Sequence, residues 1–217
     1  ERLLVDGAFA AGRGTFDVDG ALPGAALTAE GLARPFDEVP TFQVAGTAQD
    51  VDLGVLLPGS GRSDAFAGEF ALIGRGRSVD AFEGEIALDL TRAESGLPTH
   101  RIRFSDLQLD ADVTRGFAAF DAIATLADGG GSVDAIGTLE LGDAIQYAVT
   151  DGRATNLNLT ALTGNPGQDS DLSGDFTLRG DVAQGTLDLT TDLRESRYGV
   201  YDVASGQLAA GLRDGTV

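Results

Sequence analysis

Cysteine is absent from this chain, as are methionine, tryptophan and lysine, and histidine occurs once. Without cysteine there are no disulfides and no thiolate chemistry, so redox usage marks no compartment. Zinc ligation by Cys and His is excluded by count. Without lysine there is no P-loop, and neither G-x-G-x-x-G nor G-x-S-x-G occurs. His100, close to Pro98 in "LPTHRIRF", reads as a solvated loop histidine rather than the base of a catalytic pair. With no tryptophan and three tyrosines there is little from which to build a sugar-stacking platform, which disfavours a paired-carboxylate glycosidase. No apolar run approaches the roughly 18 residues of a membrane helix. "ERLLVDGAFA" lacks the basic n-region of a signal peptide. The chain starts and stops inside patterned segments, which is the expectation for a piece of something longer. It reads as non-enzymatic, without catalytic residues, cofactor or metal.

What is abundant is acid. Thirty-four Asp and Glu against fifteen arginines give a formal charge of -19, a field that repels nucleic-acid phosphates and anionic lipid surfaces. Nucleic acid is therefore not an expected partner. The acids are spread along the whole chain, the pattern of a protein kept soluble in high salt rather than of a cation cluster. At 217 residues and 42% hydrophobic content the chain can form a core.

Thirty-one glycines and short alternating runs of Val, Leu, Phe and Thr point to strands joined by turns. In "LSGDFTLRG", Leu172, Gly174, Phe176 and Leu178 share one parity and Ser173, Asp175 and Thr177 the other, so one face is apolar and one is wet. The same period of two runs through "GEIALDL" (Ile86, Leu88), "DLQLDADV" (Leu107, Leu109), "GTLDLTT" (Leu187, Leu189), "TFDVDG", "GTLELG" and "TNLNLTAL" (Leu159). "DGG", "TDG", "RDG" and "GNPG" supply turn chemistry. Only "PGAALTAEGLARPF" and "TRGFAAFDAIATLA" have helical colour, the first broken by Gly and Pro and the second equally compatible with a strand.

The chain also repeats itself. A shift of 106 residues, from Gly68 to Gly174, lays "VDLGVLLPGSGRSDAFAGEFALIG" over "LNLTALTGNPGQDSDLSGDFTLRG" without a gap. Leu53, Gly68, Phe70, Leu72 and Gly74 fall on Leu159, Gly174, Phe176, Leu178 and Gly180. After a few deleted residues "EGEIALDL" meets "QGTLDLTT", and "DLQLDADVTRG" meets "SGQLAAGLRDG". Residues 51–116 and 157–217 are thus an internal duplication within one continuous β-repeat segment, 1–217. One-sided strands with no helices to cover them imply sheet facing sheet, or a sheet folded over on itself, extended by repetition.

Calcium is the rival chemistry. "GGGSVDAI", residues 129–136, is one substitution from the G-G-x-G-x-D-x-apolar nonapeptide of Ca²⁺-binding β-rolls, with Ser132 in place of a glycine, but it occurs once where stacked copies are needed. The D-x-D pairs, such as Asp17 with Asp19 and Asp110 with Asp112, fit a wet strand face, and no EF-hand loop follows them. The alternative reading is a Ca²⁺-stiffened structural or adhesive extracellular β-repeat.

The stretch "NLNLTALTGNPGQDSDLSGDFTLRG", running into "GTLDLTTDLRESRYGVYDVASGQLAAGLRDGTV", resembles the repeating region of the TamB and AsmA-like envelope proteins. The resemblance covers residues 157–217 and, through the duplication, 51–116. It implies an all-β, elongated sheet curled into an open trough, β-taco or β-solenoid-like, with an apolar inner face. It also implies a non-enzymatic bridge through the periplasm, anchored in the inner membrane through parts outside this chain and working with an outer-membrane barrel partner. Such a bridge carries phospholipid acyl chains or assists outer-membrane protein assembly. The groove lining expected on this basis is Leu53, Phe66, Phe70, Leu72, Ile86, Leu88, Leu107, Leu109, Leu159, Leu172, Phe176, Leu178, Leu187 and Leu189. The competing expectation is that these stripes simply pack together as core.

Overall fold

The computed structural model describes residues 2–22, 25–52, 65–78, 81–92, 104–140, 146–163, 165–181 and 184–213. They form β1 (Arg2–Ala10), β2 (Arg13–Leu22), β3 (Ala25–Arg34), β4 (Thr41–Asp52), β5 (Ala65–Arg75), β6 (Glu83–Arg92), β7 (Phe104–Thr114), β8 (Phe117–Leu126), β9 (Ser132–Glu140), β10 (Gln146–Leu157), β11 (Ser170–Asp181), β12 (Thr186–Tyr198) and β13 (Tyr201–Leu212). One short helix, α1 (Leu159–Thr163), and single 3-10 turns at Ala127–Gly129 and Pro166–Gln168 complete the described elements. Strand order follows chain order in one sheet of thirteen strands, with β1 and β13 at its two ends. The all-β expectation is met. Both stretches with helical colour are strands, β3 and β8. In β3, Leu27, Ala29 and Gly31 share one face and Thr28 and Glu30 the other, and this period of two prevails over the helix propensity of the alanines.

The chain divides into two compact units. The first holds β1 to β6 and β7 from Asp106 on, and the second holds β8 to β13. The unit cores are small. Phe66 and Leu90 are fully buried in the first, with Val51 and Ala48 beside them in burial, and Leu126 and Val149 are buried in the second. Burying one such large side chain contributes about 1.5–3 kcal/mol.

β4 and β5 carry the same irregularity as β10 and β11. The β4·β5 ladder bulges between Ala48 and Val51, the β10·β11 ladder between Ala154 and Leu157. Within the bulges Asp50 and Asn156 have φ of 52° and 51°, and their numbers differ by the offset of the sequence repeat. Gly68 lies opposite Leu90 and Gly174 opposite Leu193. A Cβ on either glycine would strike a backbone carbonyl, that of Asp89 or of Asp192. An unpaired extra residue at a fixed place bends and twists the strand, so its recurrence gives both strand pairs the same local shape.

Strand glycines serve a second purpose. Gly14, Gly31, Gly137, Gly152 and Gly180 stand directly across the ladder from Phe9, Phe16, Phe120, Phe176 and Tyr147. In each case the aromatic side chain lies so close over the glycine that an added Cβ would come within 3.0 Å of it. The ring covers backbone that would otherwise face water, the arrangement known as aromatic rescue of a strand glycine.

Two expectations are corrected here. "TNLNLTAL" is not one strand: β10 ends at Leu157 and Leu159 opens α1. The reason is Asn158, whose Oδ1 accepts a hydrogen bond from Thr160 N at 2.9 Å and whose carbonyl accepts one from Ala161 N at 3.0 Å. A capping asparagine offers the backbone an alternative to the ladder. "TDG", expected as a turn, lies inside β10, where a bulge between Val149 and Asp151 absorbs the extra residue.

Candidate ligand-binding faces of the sheet

Antiparallel partners point to the same side of a sheet, so the registers define the faces. In the first unit one row runs Leu3, Gly20, Leu27, Ala48, Gly68, Leu90, Leu107 across β1 to β7, and the next runs Val5, Val18, Ala29, Gly46, Phe70, Leu88, Leu109. The two following rows, through Phe16, Val44, Leu72 and Ile86 and through Phe9, Phe42 and Val113, are equally free of polar side chains. The second unit repeats the pattern in rows through Phe120, Val149, Leu178 and Leu189 and through Leu139, Tyr147 and Leu187. The hydroxyl directly opposite Phe176, that of Thr191, is spent on the Asp175 carbonyl at 3.1 Å.

The expected lining residues divide accordingly. Phe70, Leu72, Ile86, Leu88, Leu107 and Leu109 share the apolar face of the first unit, half-buried, and Leu172, Phe176, Leu178, Leu187 and Leu189 that of the second. Phe66 is on the same face but 0% exposed, so it belongs to the core and has no free surface for a ligand. Leu159 sits in α1 rather than on a strand. Leu53, like His100, lies outside the described residues. Sequence reasoning missed the most accessible part of the face: Leu3, Val5 and Phe9 of β1 are 58%, 62% and 59% exposed. The alternation that could have found them is present in "RLLVDGAFA".

The opposite face of the first unit borders an open cavity of about 1070 Å³. Leu4 and Asp6 of β1 and Gln108 and Asp110 of β7 all line it, and so do Asp17, Glu30, Glu69 and Asp89 between them. Val18, Ala29, Gly46, Phe70 and Leu88 of the apolar row also border it, but its acids and its remaining residues put this concavity chiefly on the polar side. Asp6 faces Asp17, Asp17 faces Glu30, and Glu69 faces Asp89, like charges in direct opposition, which destabilises the sheet where salt does not screen them. Among the described residues no group of three or more His, Asp or Glu is arranged to hold a metal ion.

Ion pairs on the polar face join neighbouring strands. Asp175 accepts from Arg153 Nε at 3.3 Å and from Arg194 Nη2. Glu83 accepts from Arg75 at 2.6 Å and from Arg115 at 3.2 Å, and chiefly the Arg75 hydrogen bond and charge hold its carboxyl below the usual range. Asp169 is lowered in the same sense by Arg197, then Asn158. These pairs are exposed. Comparison with protein-family models, with curated proteins and with solved structures gives no match.

Proposed function

We propose that the chain is a non-enzymatic segment of a periplasmic bridge, and that its uninterrupted apolar face holds phospholipid acyl chains or the strands of an outer-membrane protein in passage. The observation that carries this reading is the four-row apolar face of the first unit, in which every cross-strand neighbour from β1 to β7 is Gly, Ala, Val, Leu, Ile or Phe. Acyl chains laid on such a face are held by about 0.8 kcal/mol per buried methylene. The face needs no specific polar group, as suits a cargo recognised by its apolar surface. Location in the periplasm, inner-membrane anchorage and an outer-membrane barrel partner follow from the resemblance to TamB and AsmA-like proteins and involve parts outside this chain.

The test is side-selective crosslinking. A photoreactive residue replacing Phe70 or Phe176 is expected to form phospholipid adducts, while one replacing Asp175 or Thr177 is not. Equal labelling on both parities would sink the proposal.

A further inference from the structure

We propose that the end of the polar face in the first unit is an anion-binding site of phosphate class, built from Arg13 and Arg34 with Thr41 beside them. It does not depend on the acyl-chain reading, because it lies on the other side of the sheet. Arg13 and Arg34 directly follow Gly14·Ala33, the end pair of the β2·β3 ladder, so the two residues stand at neighbouring positions of adjacent strands, and both line one cavity. Arg34 faces Thr41, which faces Arg75. These residues share an open cavity of about 560 Å³ floored by Leu32, Gln43 and Ile73.

The charges in this cavity are unevenly committed. Arg75 donates from Nε and Nη2 to Glu83 Oε2, at 2.9 and 2.6 Å, and Arg115 also serves Glu83. Among the described residues Arg13 and Arg34 have neither an ion pair nor a side-chain hydrogen bond. Glu83 and Glu85 line the same cavity, but Glu83 is engaged by Arg75 and Arg115, and among the described residues neither acid pairs with Arg13 or Arg34. Two arginines at neighbouring positions without a paired carboxylate are costly as a structural device, since like charges in opposition destabilise a sheet. An anion between them removes that cost. The planar guanidinium fork matches the oxygens of a phosphate, and a threonine hydroxyl can donate to one of them.

The second unit supplies the control. The same two rows enclose a cavity of about 380 Å³, whose outer row runs Phe117, Glu140, Gln146, Asp181, Thr186. Phe117 opens β8 as Arg13 opens β2, Glu140 closes β9 as Arg34 closes β3, and Asp181 closes β11 as Arg75 closes β5. Its inner row adds Arg179 and Asp188. A cavity therefore comes with each strand arrangement, whereas its charge differs: Arg13, Arg34 and Arg75 stand with Glu83 and Glu85 in one, and Arg179 stands with Glu140, Asp181 and Asp188 in the other. Fold alone does not require arginine at these places.

The experiment titrates inorganic phosphate into the chain at constant ionic strength and follows the arginine side-chain Nε–Hε resonances. Saturable shifts are expected at Arg13 and Arg34 and not at Arg179, with affinity weakened about tenfold or more in Arg13→Gln/Arg34→Gln, as loss of charge-assisted bonds requires. Both side chains are exposed, and the amide spectrum of the variant checks that the sheet is retained. Arg34→Gln alone serves if the double variant does not fold. Co-sedimentation with phosphatidylcholine vesicles, with and without phosphatidic acid, identifies the source. Loss of phosphatidic-acid-dependent binding in the variant assigns a lipid headgroup, and phosphate binding without vesicle binding assigns a soluble phosphate. Small uniform shifts over all arginines, or saturable binding that survives both substitutions, would overturn the site.

Discussion

At Phe176 the side chain does two jobs, presenting apolar surface and covering the backbone of Gly152 across the ladder. Gly152→Ala would push a methyl into the ring, and overpacking of this kind costs about 1–3 kcal/mol. If the ring is the obstacle, the same substitution in a Phe176→Ala background is expected to cost much less, and a denaturant-melt double-mutant cycle reads the difference. An equal cost in both backgrounds would mean that the glycine is required by the backbone itself. The parity of Phe176 was legible in "LSGDFTLRG", because alternation is a local property. Its contact with Gly152 was not, because that depends on a register fixed jointly by two strands and two bulges.

At the scale of the element, the β5–β6 connection is pinned by Glu83, which Arg75 and Arg115 approach from the end of β5 and from just after β7. Its folded-state pKa is lowered from 4.5 by those two arginines, so the folded state binds the proton less readily than the unfolded one. The resulting stability is present above the unfolded value and is lost as pH falls through the folded one. Thermal melts of Glu83→Gln and the parent from pH 7 to pH 3 are expected to differ most near neutrality and to converge in acid. A gap that stays constant with pH would contradict this ionic role. Most strands were legible as alternating runs, and the offset that separates the bulge residues Asp50 and Asn156 was legible as the spacing of the sequence repeat. The end of β10 was not: "TNLNLTAL" keeps its alternation through Asn158, whose Oδ1 and carbonyl accept from Thr160 N and Ala161 N where the chain turns into a helix.

For the whole molecule the acid excess is the dominant composition term, and opposed carboxylates such as Asp17 and Glu30 place part of it directly across ladders. The Debye length falls from about 10 Å at 0.1 M salt to about 3 Å at 1 M, so the melting temperature is expected to rise with sodium chloride. At constant ionic strength it is expected to be indifferent to chelation. A fall of several degrees on adding EDTA would instead favour the calcium-stiffened reading, since an ion bound only by the folded state adds stability. The alternation of apolar and polar positions along single strands was legible, but the side on which the large cavity lies was not, because concavity depends on how successive strands twist.

The most direct test of the acyl-chain account uses two adjacent residues of β1. Val5 is on the apolar face, 62% exposed, and Leu4 is on the cavity face, 49% exposed. Both are aliphatic and accessible, so hydrophobicity and access alone do not separate them. With the same photoreactive residue at each position and phospholipid as the target, adducts are expected at position 5 and not at position 4. Equal yields, or adducts only from the cavity side, would contradict the account.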